Sequence, residues 1–186
     1  ATDATITFNT QFAFDFDNSD GVGSGLTDFE TTALHEIGHA LGFTSAVDIV
    51  DFAVEEGLTG TVNPTALDLF RFENDTVNDP GTLAEFTIAE RSLDPNVDAI
   101  FDDLDNEVRM STGVDTGDGR QASHWKDNNL TGVLLGALDP TLAQEQVFDV
   151  SSFDLRALAL LGYALVPVSS AVLFAVPGLL LWGPRR

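Results

Sequence analysis

The clearest periodic pattern of apolar residues lies in the segment 28–42. Ala33, Leu34, Ile37 and Leu41 recur at intervals of three and four residues. This spacing places side chains on one face of an α-helix. The pattern therefore predicts an amphipathic helix whose apolar stripe faces a core.

Both ends of this predicted helix carry boundary residues. Thr27 precedes it and Glu30 follows three residues later, which is the arrangement of a capping box. Gly42 follows the last apolar position, and glycine is the residue that most commonly ends a helix. The sequence predicts a helix that is capped by Thr27 and stopped by Gly42.

Alternation of apolar and polar residues predicts strands in other parts of the chain. Residues 4–17, ATITFNTQFAFDFD, alternate β-branched and aromatic residues with polar ones and predict a strand. Residues 79–90 predict a turn followed by a strand. Residues 97–121 combine strand with acidic loops that contain glycine. A strand within residues 6–14 could lie at a sheet edge and pair with an extended peptide through main-chain hydrogen bonds, or it could be an interior strand.

Further helices are predicted on both sides of these strands. Residues 45–57 predict a short helix, and residues 63–74 predict a turn that leads into a strand or a helix. Residues 151–165 predict a closing helix with leucines on one side and Ser151 or Ser152 as its cap.

The segment 165–186 differs from the rest of the chain. It has no charged residue until Arg185 and Arg186. At about 1.5 Å per residue, this run nearly spans a hydrocarbon layer of about 30 Å. Arginines after an apolar run are typical of a cytoplasmic end. We therefore expect one domain over 1–164 and a membrane-directed tail over 165–186.

Composition adds a strong acidic charge to this picture. The 186 residues include 8 basic and 30 acidic side chains, which give a net charge of -22. Such a surface repels nucleic acid, so polynucleotide partners are excluded. The chain has no cysteine, which excludes disulfides, thiol nucleophiles and thiolate metal sites.

The predicted helix at 28–42 also carries candidate chemistry. His35 and His39 lie one turn apart, so both imidazoles can reach one metal ion. Zn²⁺ accepts imidazole nitrogen and leaves one position open in catalytic sites. Glu36 stands beside the pair, where a carboxylate can take a proton from water as that water attacks a carbonyl.

The stretch HEIGHALGF resembles the zinc-binding helix of zincin metallopeptidases, particularly the metzincin branch, in which a glycine follows the second histidine. Short metzincin motifs have a third histidine six residues after the second, and Ser45 stands there in this chain. The remaining histidine is His124, and His124-Trp125 resembles the leishmanolysin-like arrangement, where the third histidine comes after a long insertion. That family's following turn usually carries methionine, and Leu138 stands in its place.

This resemblance implies an α+β, zincin-like fold with a small mixed sheet, an active-site helix and a C-terminal helix. It implies a zinc-dependent endopeptidase in which His35, His39 and His124 bind Zn²⁺ and Glu36 is the catalytic base. Few residues precede the zinc helix, so we expect the chain to lack part of its N-terminus. We expect a monomer that acts on peptide or protein substrates.

Two other interpretations of the acidic residues stay open. Glu55 or Glu56 could supply the third zinc ligand in place of His124, as a glutamate does in the other large zincin branch. Asp15, Asp17 and Ser19 partly follow the pattern of a calcium loop, although an acidic turn explains them as well. A non-catalytic, calcium-binding, tail-anchored surface or matrix protein is therefore the alternative function.

The tail has a resemblance of its own, to bacterial exosortase sorting signals. Val166-Pro167, the apolar run and the terminal arginines follow that layout, but Val168 and Ser169 replace its glutamate and proline. The resemblance implies a secreted or cell-surface protein, a membrane contact through the tail and a sorting enzyme as partner.

Three further side chains carry predictions. We expect Arg71 and Arg109 to be ion-paired, because their surroundings are acidic. Trp125 is either a core residue or a packing support for the metal site.

Overall fold

The computed structural model describes residue 2 and the ranges 4–75 and 79–164. These ranges form a small mixed fold of two sheets and five α-helices, which agrees with the coarse α+β prediction. The predicted tail, 165–186, lies outside the described residues. Within the described ranges, no helix has both the length and the apolar character needed to cross a bilayer.

In chain order the elements are β1 (Phe14–Asp15), β2 (Thr27–Asp28), α1 (Phe29–Ala40), α2 (Val47–Glu55), β3 (Arg71–Glu73), α3 (Leu83–Ile88), β4 (Ala99–Asp102), β5 (Glu107–Met110), α4 (Asn128–Thr131) and α5 (Ser152–Leu160).

The larger sheet is antiparallel, with strand order β3-β4-β5. Every residue of β4 is buried, and in β5 only Val108 and Met110 are buried. This alternation is expected for an edge strand with one face on the core. The segment 97–121 therefore contains the predicted strands, as a hairpin whose turn includes Leu104 at a φ of 73°.

The smaller sheet corrects the prediction for the N-terminus. Only Phe14–Asp15 is strand, paired in parallel with Thr27–Asp28, and residues 4–13 form no strand. Asp15 accepts hydrogen bonds from the backbone N–H groups of Asp17 and Gly23, which turns the chain directly after β1. The prediction of a strand is wrong for residues 4–13 and holds only for Phe14–Asp15, so residues 4–13 offer no strand edge to an extended peptide.

The helix α1 forms where predicted, but its cap and its buried face differ from the prediction. The N-cap is Asp28, not Thr27, because the Asp28 carboxylate accepts the N–H of Thr31 at 2.8 Å. Gly42, at a φ of 100°, follows the last turn as predicted. Ile37 is 44% exposed, whereas Gly38 is buried. The helix therefore packs through its Gly38 side rather than through the predicted apolar stripe.

The helix α3 corrects a second prediction, that of a strand in 79–90. Thr82 accepts the N–H of Glu85, and its hydroxyl donates to the Glu85 carboxylate. This Thr-x-x-Glu pattern starts a helix and outweighs the β propensity of the residues that follow. The two other predicted helices form as α2 and α5, and Ser151 caps α5 with a complete capping box.

The core lies between the larger sheet, the end of α1 and α5. Trp125 is fully buried at its centre, with ring centroids 4.8 Å from Phe43 and 5.6 Å from Phe101. Leu138 and Ala157 belong to the same cluster of buried residues. Because Trp125 directly follows His124, the packing of this indole fixes the position of the third histidine relative to α1.

Candidate metal centre

The three histidines of the chain meet at one point. The Nε2 atoms of His35 and His39 lie 3.1 Å apart, and His124 Nε2 lies 3.0 Å from His35 Nε2 and 3.1 Å from His39 Nε2. His39 and His124 are 85 positions apart in sequence. The fold thus brings together the residues that the sequence analysis named as a zinc set. Among the described residues, these three form the group whose donor atoms could hold a metal ion.

Hydrogen bonds at the opposite ring nitrogens set the orientation of the three imidazoles. Nδ1 of His35 lies 2.9 Å from the carbonyl oxygen of Ala137, and Nδ1 of His39 lies 2.8 Å from that of Phe43. Nδ1 of His124 lies 3.0 Å from the carbonyl oxygen of Gln121. A carbonyl only accepts, so each Nδ1 carries the proton. All three Nε2 lone pairs then point toward each other.

A cation at the centre would stabilise this arrangement of the three rings. Three unprotonated nitrogens cannot hydrogen-bond to each other, although they lie at hydrogen-bonding distance. Zn–N bonds of about 2.0–2.1 Å in a tetrahedral set place the nitrogens roughly 3.3 Å apart, close to the observed separations. Carbonyl partners on the second ring nitrogen are also the usual supports of metal-binding histidines. The three side chains therefore fit a zinc ion.

Burial favours the neutral form of two of the three rings, His35 and His124. Burial, together with the charges that His39 and His35 would carry, lowers the pKa of the His124 imidazole to about 3. Burial also lowers the pKa of His35. The hydrogen bond to the Ala137 carbonyl raises this pKa, but the effect of burial is larger. Neutral imidazole is the form that binds metal, so these two rings do not need to lose a proton at neutral pH.

The helix α1 is held against the turn that contains Ala137 and Leu138. A Cβ at Gly38 would come within 2.9 Å of Leu138 Cδ1, so a larger residue at this position would require the Leu138 side chain to shift. Leu138 is 2% exposed, and its carbonyl accepts the N–H of Trp125 at 3.0 Å. Leu138, at the position where the resemblance implies methionine, packs against Gly38, which lies between the two helical histidines in sequence.

Two aspartates that hold the segments of the site in place were not predicted from the sequence. Asp154, at the start of α5, accepts the indole N–H of Trp125 at 2.7 Å and the backbone N–H of Ala137 at 2.8 Å. Asp48, on α2, accepts bonds from the segment that carries His124. The only local signal was for Asp154, which occupies the acidic position of a Ser-x-x-Asp cap at the start of α5.

Glu36 lies at the edge of a pocket that adjoins the histidines. The pocket has a volume of about 180 Å³, and His35 is part of its wall. The Glu36 carboxylate makes no hydrogen bond or ion pair with any described residue. The lining of this pocket combines apolar groups with two hydroxyl groups, one imidazole and two carboxyl groups. They belong to Thr31, Thr32, His35, Glu36, Ala137, Asp139, Pro140, Leu142 and Phe148.

The alternative acidic sites do not assemble in the described residues. Glu55 and Glu56 are outside the group that could hold a metal ion, and both are exposed. Asp15 and Asp17 accept N–H bonds from the turn that follows them, as the acidic-turn interpretation predicts. These carboxylates serve the backbone of their own turn.

The two arginines differ in their partners. Arg109 forms the expected ion pair, with its Nη2 2.6 Å from Asp98 Oδ2. Arg71 is fully buried and forms no ion pair with a described carboxylate; its guanidinium instead donates to the carbonyl of Ser111 at 2.9 Å. Burial lowers the pKa of Arg71 to about 10, so it stays charged at neutral pH. The ion-pair prediction is therefore wrong for Arg71, because the fold gives it backbone carbonyls as partners.

Comparison with known proteins adds no further identification. The chain matches no family model, no curated protein and no solved structure. Function therefore has to be inferred from the chemistry of the described residues. The converging histidines and the adjacent Glu36 are the features that carry such chemistry.

Proposed function

We propose that the chain is a zinc-dependent endopeptidase. The observation that carries the proposal is the convergence of three Nε2 atoms within 3.1 Å of each other, with each ring oriented by a backbone carbonyl. Three histidines and an open position form one of the usual ligand sets of catalytic zinc. The resemblance of HEIGHALGF to zincin helices supports the same assignment.

Each part of the site has a separate task. When bound, zinc acts as a Lewis acid that activates water and polarises the carbonyl of the scissile peptide. The carboxylate of Glu36 takes the proton from the attacking water, which requires that it be ionised and not already paired. The same carboxyl group then gives the proton to the leaving amine. The net reaction consumes one water and produces a new carboxylate and a new amine.

The pocket beside Glu36 offers space for a substrate side chain. Its apolar wall, formed by Pro140, Leu142 and Phe148, provides contact area, and its hydroxyl groups lie at the start of α1. A volume of about 180 Å³ accommodates a single large side chain rather than a whole small-molecule ligand. This size favours a peptide that places one residue in the pocket and continues on both sides.

Delivery to the cell surface is the second part of the proposal. The uncharged run from 165 to 184, followed by Arg185 and Arg186, supports a membrane-directed tail that a sorting enzyme would process. Fractionation of cells that express the full chain or a chain ending at 164 would test it. The full chain is expected in the membrane fraction before processing, and recovery of both chains in the same soluble fraction would contradict the assignment.

The metal assignment and the catalytic assignment need separate experiments. Elemental analysis is expected to find one zinc per chain in the wild type and a substoichiometric amount in His124→Ala. An unchanged zinc content in that variant would remove His124 from the site.

Catalysis is tested by cleavage of casein or a quenched fluorescent peptide. Glu36→Gln keeps the size of the side chain but removes the base, so we expect full zinc content and a rate about 10²–10⁴-fold lower. Glu56→Gln, an exposed glutamate outside the cluster, is the matched control and should cleave as the wild type does. Equal rates in the wild type and Glu36→Gln would reject the proposed base.

A further inference from the structure

The segment that carries His124 is held by contacts that lie away from the three imidazoles. The backbone N–H of Ala122 donates to Asp48 Oδ1 at 2.6 Å, and the hydroxyl of Ser123 donates to Asp48 Oδ2 at 2.5 Å. Both oxygens of this one carboxylate, on α2, therefore bind residues that immediately precede the histidine. Ser123 Oγ in turn accepts the N–H of Ser45 at 2.9 Å.

These contacts fix the turn that orients the His124 ring. His124 Nδ1 bonds to the carbonyl of Gln121, which lies on the other side of Ala122 and Ser123. The ring and its acceptor belong to the same four-residue turn, so the direction of Nε2 depends on the shape of that turn. Asp48 holds the two middle residues of the turn and thereby sets this shape.

The buried guanidinium of Arg71 contacts the same turn. Arg71 Nη1 lies 3.5 Å from the carbonyl oxygen of Ala122, and its Nη2 donates to the carbonyl of Ser111. Ser111 N–H donates to the His124 carbonyl at 3.1 Å. The backbone N–H of Ala122 thus donates to Asp48, and the backbone carbonyl of Ala122 accepts from Arg71. Charge-assisted hydrogen bonds of this kind are stronger than bonds between neutral groups.

We propose that Asp48 is a positioning residue for the metal centre: its carboxylate, through Ala122 and Ser123, sets the orientation in which His124 completes the three-histidine set. The inference rests on the proposed zinc site, but its structural part concerns the His124 ring itself. Loss of a support that orients a metal ligand typically lowers metal affinity by 10–100-fold.

The matched control is Asp51, one turn further along α2. Its carboxylate accepts the N–H groups of Asp115 and Thr116 and the hydroxyl of Thr116, at distances of 2.7–2.8 Å. It makes the same kinds of bonds from the same helix, but to a loop that precedes the His124 turn. A general loss of stability should therefore affect Asp48→Ala and Asp51→Ala alike, whereas a positioning effect should appear only in Asp48→Ala.

The first experiment measures zinc affinity by competition with a chromophoric chelator. We expect Asp48→Ala to bind zinc 10–100-fold more weakly than the wild type, and Asp51→Ala to bind it within about twofold. Asp48→Asn keeps an acceptor for Ala122 N–H and a partner for Ser123, so it should recover most of the affinity. Unchanged affinity in Asp48→Ala, or equal losses in both alanine variants, would overturn the positioning role.

The second experiment examines the His124 ring in metal-free protein by ¹⁵N NMR. The wild type should show the tautomer protonated on Nδ1, and Asp48→Ala should show exchange between tautomers, while Asp51→Ala retains the wild-type pattern. An unaltered His124 signal in Asp48→Ala would reject the inference whether or not zinc binds. Failure of the wild type to bind zinc would instead reject the proposed function, so the two failures are distinguishable.

Discussion

Gly38 and Leu138 lie in direct contact, with the Leu138 side chain over the helix backbone in the place where a larger residue at position 38 would put its Cβ. That Cβ would come within 2.9 Å of Leu138 Cδ1 and 3.0 Å of Cδ2. The contact joins the helix that carries two histidines to the turn whose Ala137 carbonyl orients one of them. The close approach of these two segments is therefore a condition for the geometry of the site.

Gly38→Ala tests this contact. Alanine raises helix propensity by about 1 kcal/mol relative to glycine. Overpacking a buried contact typically costs about 1–3 kcal/mol, and Leu138 has little room because it is 2% exposed. We expect overpacking to dominate, so the free energy of unfolding falls and zinc binds more weakly. Urea denaturation and chelator competition measure the two effects.

A double-mutant cycle checks the physical cause. Leu138→Ala alone is expected to lose about 2–5 kcal/mol by leaving a cavity. In the pair Gly38→Ala and Leu138→Ala, the added methyl group meets no leucine, so the combined loss should be smaller than the sum of the single losses. Strict additivity would show that the two residues do not compete for the same space.

The parts of the fold that formed as predicted are those with local determinants. The histidines of α1 follow from their four-residue spacing, and Ser151 caps α5 through a box that its own first turn supplies. In the hairpin within 97–121, β5 has alternating burial that its alternating sequence encodes. The wrong predictions have a different origin, because they depend on contacts that the local sequence does not determine. Residues 4–13 alternate like a strand, but the fold gives them no partner strand to pair with.

Asp154 connects the closing helix with the metal-site turn, and its removal is a second test of the fold. The carboxylate is fully buried and accepts hydrogen bonds from Trp125 Nε1, from Ala137 N and from Ser151 N. Asp154→Ala leaves two buried donors and the half-buried Ser151 N–H without this acceptor, and each buried donor costs about 1–3 kcal/mol. We expect a loss of at least about 3 kcal/mol in the free energy of unfolding, together with weaker zinc binding.

Two variants separate the contributions at this position. Trp125→Phe removes the indole N–H but keeps an aromatic ring in the core, so it should lose less than Asp154→Ala. Asp149→Ala changes an exposed aspartate in the same region and should unfold at the wild-type urea concentration. A wild-type midpoint for Asp154→Ala would contradict the role of this carboxylate as a connection between the two segments.

In the candidate site, as in the fold, the residues with a local sequence signal were predicted and those defined by long-range contacts were not. His35, Glu36 and His39 could be named because their chemistry lies within one helical turn, and His124 because a resemblance linked it to them. Neither Asp48 and the carbonyl partners of the rings nor the contact of Arg71 with the His124 turn could be predicted. Their roles depend on contacts between segments far apart in sequence, and no local pattern distinguishes Asp48 from the other aspartates of an acidic chain.

The buried histidines predict a loss of stability in mild acid for the metal-free protein. His124 has a pKa of about 3 in the folded state and about 6.5 when unfolded. Between these values the unfolded chain binds more protons, so stability falls as the pH falls from about 6.5 toward 3. One such group contributes a slope of up to about 1.4 kcal/mol per pH unit.

Urea denaturation of chelator-treated protein between pH 6.5 and pH 5 measures this slope, because most carboxylates titrate at lower pH. His124→Gln removes the group and should give a shallower dependence than the wild type. Glu56→Gln, which changes an exposed side chain, should reproduce the wild-type slope. Parallel pH profiles for the wild type and His124→Gln would mean that the His124 ring is not neutral and buried as described.

Zinc is expected to stabilise the folded chain through the three imidazoles. A ligand that binds only the folded state at 100 times its dissociation constant adds about 2.7 kcal/mol. For a domain of this size, that corresponds to a rise in Tm of roughly 5–10 °C. The rise in Tm should disappear in His124→Ala, because only the imidazole nitrogens of His35 and His39 then remain to bind zinc. Calcium takes oxygen ligands and has no use for these nitrogens, so any response to calcium should be equal in the wild type and His124→Ala. A calcium response that depends on His124, or a zinc response that does not, would refute the assignment of the metal centre.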